Sequence, residues 1–302
     1  MLDFLPAPLK GVFAIALILM STLFWYPPLL LLSILKLVIP LRSSRRLCTR
    51  LLIGIANIWI TSNGLFLALL HRTEWIIEGR EGLSQRDWYL VTCNHQSWAD
   101  IPAIQFALNG RIPLLKFFLK RELIWVPLLG IAWWALDFPF MKRYPKELLE
   151  KRPELKGKDL ETTRRACEKF KYTPVTVFNF LEGTRFTQAK HDRQQSPYQN
   201  LLRPKAGGVG FVLGAMGEQL HTLLDISILY PDGITGFWAF LCGRIRRIVI
   251  DIRKLPIPET FLGKDYVNDE AFRYEFQQWV GKLWEDKDQR LTQLRARFPA
   301  AV

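Results

Sequence analysis

Uncharged, apolar positions dominate the N-terminal part of the chain. From Gly11 to Leu35 no charged residue interrupts a run made mostly of Leu, Ile, Val, Phe, Ala and Trp. The run is long enough for a spanning helix, which needs about 20 apolar residues. It is too long for the apolar core of a secretory leader and no small-residue cleavage site follows it, so retention in a membrane is expected. Pro27-Pro28 sits mid-run, where missing N–H donors and ring sterics break or kink a helix. The two halves, 11–26 and 29–41, would each rise only about 20–24 Å, short of the roughly 30 Å hydrocarbon core. Lys10 precedes the run, and Arg42, Arg45, Arg46 and Arg50 follow it closely. A helical hairpin over 11–41, entering and leaving one leaflet, would put all five cations on the cytoplasmic face, whereas a single span would divide them. Residues 51–70 are again uncharged but carry Asn57, Thr61, Ser62 and Asn63. They read as a second span or, favoured by the polar middle, an amphipathic helix lying in the interface.

After residue 74 the pattern changes to apolar runs of strand length at 88–93, 175–181, 225–230 and 245–252. Helical stretches at 100–108, 159–171 and 208–220 lie among them. The final segment, 269–296, places Phe272, Phe276, Trp279 and Leu283 at helical spacing. This alternation predicts an α/β fold, with a largely parallel central sheet flanked by helices and an N-terminal apolar membrane-embedded helical segment. The expected division is a membrane-anchoring part, 1–73, and an α/β domain, 74–302, closed by the C-terminal amphipathic helix. The polar stretches 142–171 and 186–204 read as solvated surface. The apolar patch 123–136 is too short to span, and its plain reading is a core helix.

Composition narrows the function classes. With 49% hydrophobic and 13% aromatic residues the 302-residue chain is not disordered. Its four cysteines (48, 93, 167, 242) are scattered with no C-x-x-C pair, which excludes a disulfide scaffold or a cysteine-based zinc site. Four histidines without H-x-x-x-H spacing make a metal centre unexpected. The net charge of +13 asks for an anionic partner. Since no segment interleaves its cations with aromatics, a lipid surface or a phosphorylated substrate fits better than nucleic acid.

Two clusters follow directly on strand-like runs, where α/β proteins place their sites. In the first, Asn94-His95-Gln96-Ser97-Trp98-Ala99-Asp100, His95 is a natural general base near neutral pH, and a carboxylate on its other ring nitrogen would fix the tautomer. Ser97 or Cys93 beside it could be a nucleophile, but no G-x-S-x-G context supports Ser97, and Cys93 continues the strand. In the second, Phe180-Leu181-Glu182-Gly183-Thr184-Arg185, a tight turn can aim backbone N–H groups at an anion and Arg185 can grip phosphate. Lys142-Arg143, read alone, is a solvated cation pair.

Taken in order, these blocks resemble the glycerolipid acyltransferase family, whose type member is 1-acylglycerol-3-phosphate (lysophosphatidate) acyltransferase. Its N-H-x-S-x-x-D block is matched by Asn94, His95, Ser97 and Asp100. A second block is matched by Lys120, Glu122, Leu123, Pro127, Gly130 and Arg143. The F-P-E-G-T-R block is matched by Phe180 and Glu182 to Arg185, and a strand-ending proline by Pro231. The string from Glu182 to His191 is also similar to the eukaryotic lysophospholipid and lysocardiolipin branch. Leu181 replaces the usual proline, and Asp137 stands where many members carry glycine.

The resemblance implies an O-acyltransferase with no cofactor and no metal. Its donor is an acyl-CoA or acyl-carrier-protein thioester. Its acceptor is a lysophospholipid, foremost 1-acylglycerol-3-phosphate, giving phosphatidate. His95 is the expected base, oriented by Asp100. Glu182, Gly183, Thr184, Arg185, Arg143 and Pro231 are the expected substrate-binding residues, with Glu182 fixing the loop. The 123–136 patch becomes a candidate acyl-chain pocket at the bilayer surface. The implied location is a bacterial inner (cytoplasmic) membrane with anionic lipids, the catalytic domain facing the cytoplasm. A membrane-tethered serine or cysteine hydrolase and a non-catalytic scaffold remain as alternatives.

Overall fold

The computed structural model describes residues 4–141, 167, 170, 173–217, 219–233, 236–266 and 268–300. Two long helices open the chain, α1 (Ala7–Val38) and α2 (Arg42–Leu70), and they pack against each other. Pro27 and Pro28 lie inside α1, so the chain does not turn there. It reverses at Ile39-Pro40-Leu41, where Arg45 Nε donates to Lys36 O at 3.2 Å. The expected 11–41 hairpin is thereby replaced by an α1/α2 hairpin, with 51–70 forming the greater part of its second arm. The physical reason is packing. Leu29, immediately after the prolines, is fully buried against Leu52 and Ala56 of α2, and side-chain contacts on both sides of the pair outweigh two missing backbone bonds. In consequence the four arginines stand at and just after the turn, about 40 Å along α1 from Lys10.

The polar middle of α2 has a partner of its own. Asn109 Nδ2 donates to Asn57 O and to Thr61 Oγ1, both at 2.9 Å. Those polar groups therefore dock the hairpin on the domain. Both helices are long and apolar enough to cross a membrane, and only 11% of the apolar window of each is buried.

The domain is built on a six-stranded sheet in the order β1-β8-β7-β2-β6-β3. Its strands are β1 (Glu74–Glu78), β2 (Tyr89–Cys93), β3 (Leu115–Phe117), β6 (Thr176–Phe180), β7 (Thr222–Leu229) and β8 (Arg247–Pro256). A separate two-residue pair joins β4 (Leu119–Lys120) to β5 (Phe140–Met141). Every neighbouring pair in the six-stranded sheet is parallel except β7–β8, so the sheet is mixed, with a parallel centre. Among the described residues its α-helices are α3 (Asp100–Leu108), α4 (Leu129–Ala135), α5 (Gln188–Gln194), α6 (Gly207–Met216), α7 (Phe237–Leu241) and α8 (Glu270–Arg297).

β2 is buried at all five positions. Leu90 joins the core under α6 and α8, while Tyr89, Val91 and Cys93 join the core under α3 and α7. Covering on both faces explains its unbroken apolar run. The strand at the β1 edge escaped the sequence reading because Glu74-Trp75-Ile76-Ile77-Glu78 is flanked by charge and only partly buried. The stretch 186–204 is not simply a loop, because it contains α5, capped by the Thr187 side chain. The segment 142–166, with Lys142 and Arg143, lies outside the described residues.

Candidate active site

β2 and β6 are parallel neighbours, with Cys93 opposite Phe180. The residues that follow each strand therefore emerge side by side at the carboxyl edge of the sheet. Asn94 completes the β2–β7 edge with its side chain, donating to Ile228 O at 2.9 Å and accepting from Ile228 N at 2.8 Å. The chain then turns, and α3 begins at Asp100. A carboxylate at a helix N-terminus is favoured by the helix dipole.

Asp100 is fully buried, and both its oxygens are engaged. Oδ2 accepts from Gln96 N at 2.7 Å and Ser97 N at 2.9 Å, and lies 2.8 Å from His95 Nδ1. Oδ1 accepts from Tyr230 OH at 2.6 Å. A carboxylate with these donors holds the proton of His95 on Nδ1 and leaves Nε2 as the acceptor. The imidazole is stacked on Phe180, with centroids 3.9 Å apart and planes 14° apart, and its side chain is 14% exposed. Burial and the neighbouring Asp100 charge push the Tyr230 phenol well above its ordinary range, so it remains a donor.

The second cluster is locked to the first through the backbone. His95 N donates to Glu182 Oε1 at 2.7 Å, Leu202 N donates to Glu182 Oε2 at 3.1 Å, and Phe186 N donates to His95 O at 2.7 Å. Glu182 is thus an internal brace, 1% exposed. Each of its oxygens accepts from a backbone N–H, which is the loop-fixing role expected of it beside its place among the binding residues. Gly183 follows with φ of +65°, a conformation that disfavours any side chain. Arg185 lies over the Trp98 ring, its Cζ 4.2 Å from the centroid, and its Nη1 is buried with no hydrogen-bond partner among the described residues. Lys190 Nζ donates to Thr184 Oγ1 and Arg185 O, both at 2.8 Å. The Lys205 side chain passes over Gly183. Three cations therefore surround one strand-end turn, an arrangement suited to a phosphate.

The sequence reading missed Tyr230, Lys190 and Trp98 as members of this site. Tyr230 directly precedes Pro231. The proline lies two residues past the end of β7, whereas the tyrosine reaches Asp100. The loop read as plain surface supplies Lys190 and the Leu202 N–H. Cys93 is fully buried, and burial pushes its thiol well above the ordinary range, so it is no nucleophile. Ser97 is 4% exposed, and its Oγ accepts from Ala99 N at 3.2 Å. A cavity of about 220 Å³ opens between the hairpin, α3 and α7. It is lined by Ile18, Leu67, Trp75, Phe106 and Phe240 among others, and by no residue of 123–136.

Burial raises the Glu182 carboxyl to about 7, ahead of the two backbone N–H groups that lower it. With a folded value above the ordinary 4.5, the folded state holds the proton more tightly, so stability from this group is present below about pH 4.5 and is lost as pH rises toward 7. The loss is about 3 kcal/mol. Unfolding in detergent micelles across pH 4–8, wild type against Glu182→Gln, should show a stability difference that shifts through this window and is flat above it. A difference independent of pH would remove the assignment.

The comparisons with known proteins come to rest on this same region. The Acyltransferase family model matches residues 74–228, which holds both clusters. The chain is 25% identical over 195 residues to 1-acyl-sn-glycerol-3-phosphate acyltransferase gamma of Mus musculus, covering 61% of this chain and 47% of that protein. It is 24% identical over 247 residues to lysocardiolipin acyltransferase 1 of Gallus gallus, covering 77% and 60%. The chain thus spans about half the length of the first of these curated relatives. Among solved structures, the 1-acyl-sn-glycerophosphate (LPA) acyltransferase PlsC of Thermotoga maritima aligns over 94% of this chain and 95% of its own, with a TM-score of 0.55. At 19% identity that likeness speaks for the fold alone. With the family model covering half of the chain, including both strand-end clusters and the β2 and β6 strands that carry them, this protein belongs to the Acyltransferase family.

Proposed function

We propose that this protein moves a fatty acyl group from an acyl-CoA or acyl-carrier-protein thioester to the free hydroxyl of a lysophospholipid, with 1-acylglycerol-3-phosphate as acceptor and phosphatidate as product. The observation that carries the reading is the 2.8 Å contact between His95 Nδ1 and a fully buried Asp100, facing a turn with three cations. In the reaction His95 Nε2 takes the proton of the acceptor hydroxyl as its oxygen attacks the thioester carbonyl. Asp100 holds the resulting imidazolium. Collapse of the tetrahedral intermediate breaks the C–S bond, and the thiolate leaves with the proton from His95. No acyl-enzyme forms, in keeping with the burial of Cys93 and Ser97. Arg185 binds the acceptor phosphate, with Lys190 and Lys205 adding charge, and the apolar cavity beside the hairpin takes an acyl chain.

The hairpin attaches the enzyme to the membrane by lying along one leaflet. A span would carry half of each helix away from the domain, yet α1 touches the domain at both ends. Near its start, Gly11 packs so closely that a Cβ there would stand 2.7 Å from Cys242 Sγ. Near its end, Lys36 pairs with Asp137 at 2.6 Å. The outward face of α1, with Val12, Leu19, Leu23 and Phe24 exposed, is then the face that meets lipid. The leaflet proposed is the cytoplasmic one of a bacterial inner membrane, beside the soluble donors.

The test is acyl transfer in membranes containing the protein, offered labelled acyl-CoA or acyl-carrier protein and a panel of lysolipids. Transfer to lysophosphatidate is expected, with Arg185→Ala raising KM for that acceptor about 10–100-fold and leaving KM for the donor unchanged. No transfer to any acceptor from either donor, by folded and membrane-bound protein, would overturn the reading.

A further inference from the structure

The segment from Arg121 to Leu136 has an outer face that the domain leaves uncovered. It consists of a 3₁₀ turn (Arg121–Trp125) followed by α4, too short to bury apolar side chains on all sides. Its inner face is small: Ala132, Ala135 and Leu136 pack on Leu29 of α1, and on Leu52 and Ala56 of α2. Its outer face is large. Trp125 is 85% exposed, and Leu128, Leu129, Ile131 and Trp134 are exposed with it. Leu128 is held at φ of +63°, an uncommon conformation for a bulky residue, with its side chain left exposed. Such a cluster on a water-soluble surface marks an interaction site. The reading of 123–136 as a core helix fails here, since only Gly130, Ala132, Ala135 and Leu136 of it are buried.

We propose that this face is a third membrane-contact element, in which Trp125, Leu128, Leu129, Ile131 and Trp134 insert into the leaflet that holds the hairpin. The proposal rests on the membrane reading above and adds a contact made by the catalytic domain itself. Three observations select lipid over a protein partner. The patch continues the exposed apolar surface of α1 and α2, because α4 sits directly on both helices and Asp137, just past it, is paired with Lys36. Two tryptophans carry it, the residues most at home at the headgroup level. Exposed Lys120 and Arg121 stand at its start, and Arg45 of the hairpin lines a cavity together with Trp134, so cations rim the patch where anionic headgroups would lie. With contacts from hairpin and domain together, the domain has one fixed tilt on the bilayer.

The test uses the full chain in vesicles of phosphatidylethanolamine and phosphatidylglycerol. An environment-sensitive nitrobenzoxadiazole dye is attached at Trp125→Cys, at Leu23→Cys on the outer face of α1, or at Tyr274→Cys on the exposed face of α8. The four native cysteines are buried, so labelling is directed to the new thiol. Lipids carrying a doxyl quencher near the headgroup are expected to quench the dye at positions 125 and 23 severalfold more than at 274. Quenching at 23 with none at 125 would overturn this inference and leave the membrane reading standing. Quenching at none of the three would remove both.

Discussion

Replacing His95 with alanine is expected to lower kcat by about 10³-fold, the usual weight of a positioned general base, while KM for the acceptor changes little. In the proposed reaction the acceptor phosphate is held by the second cluster, which does not use the imidazole, so binding and proton transfer should separate. Asp100→Asn is expected to lower kcat by about 10²-fold or more. Its amide oxygen would keep the Oδ2 place, where Gln96 N, Ser97 N and the Nδ1 proton converge, and its N–H₂ would turn to Tyr230 OH, which can accept. The tautomer is kept, and what is lost is the negative charge that stabilises the imidazolium. Steady-state rates on purified, micelle-bound protein decide the matter. A His95→Ala enzyme retaining a tenth or more of wild-type kcat would sink the general-base role.

The largest effect on stability is expected at Asp225, far from the chemistry. It lies in β7, fully buried, with Lys287 Nζ at 2.7 Å from its Oδ1, itself fully buried. Arg253 Nη2 reaches its Oδ2 at 2.6 Å, and Thr92 Oγ1 donates to Oδ1 at 3.0 Å. This cluster fastens α8 to the centre of the sheet, directly beneath β2. Asp225→Ala would strand a buried ammonium left with Ile226 O and the Trp284 ring, neither of which carries a counter-charge, and should cost about 3–5 kcal/mol. Lys287→Met should cost less, roughly 2 kcal/mol, because Arg253 and Thr92 still serve the carboxylate. Combining Asp225→Leu with Lys287→Met should recover most of the loss, since the desolvated charges go together while Arg253, 28% exposed, can turn to solvent. Denaturation midpoints of the three variants rank these costs. Equal losses from both single replacements would contradict the account.

The positions of the two site clusters were legible in the chain because each follows an apolar run that has to be a buried strand. Asn94 after Tyr89–Cys93 and Leu181 after Thr176–Phe180 are the first residues free to leave the sheet. The long C-terminal helix was equally legible, since Phe272, Phe276 and Leu283 recur with the helical period and are buried as that period demands. The hairpin was not. A local rule about proline placed the turn at Pro27-Pro28, but the helix passes through them because Leu29 has partners on α2 that only the folded chain supplies. Nor could any local signal show that Tyr230 caps Asp100, or that Asp225 takes its ammonium from Lys287, since those pairs meet only when the strands are ordered.

By itself, then, the sequence determined the α/β class, the apolar N-terminal segment and the residue types from which an acyl-transfer site could be made, all of which follow from periodicity, local turn chemistry and short motifs. Tertiary structure alone decided which groups touch. Parallel pairing of β2 with β6 brought His95 beside Glu182 and the cation-rich turn. Packing of α1 against α2 moved the turn from Pro27-Pro28 to Ile39-Pro40-Leu41 and laid the pair along the domain. Packing of a small-residue face against that layer left Trp125 and its neighbours pointing outward. The reason is the same in each case: contacts between residues distant in the chain carry the energies that decide among local alternatives, and no window of sequence contains them.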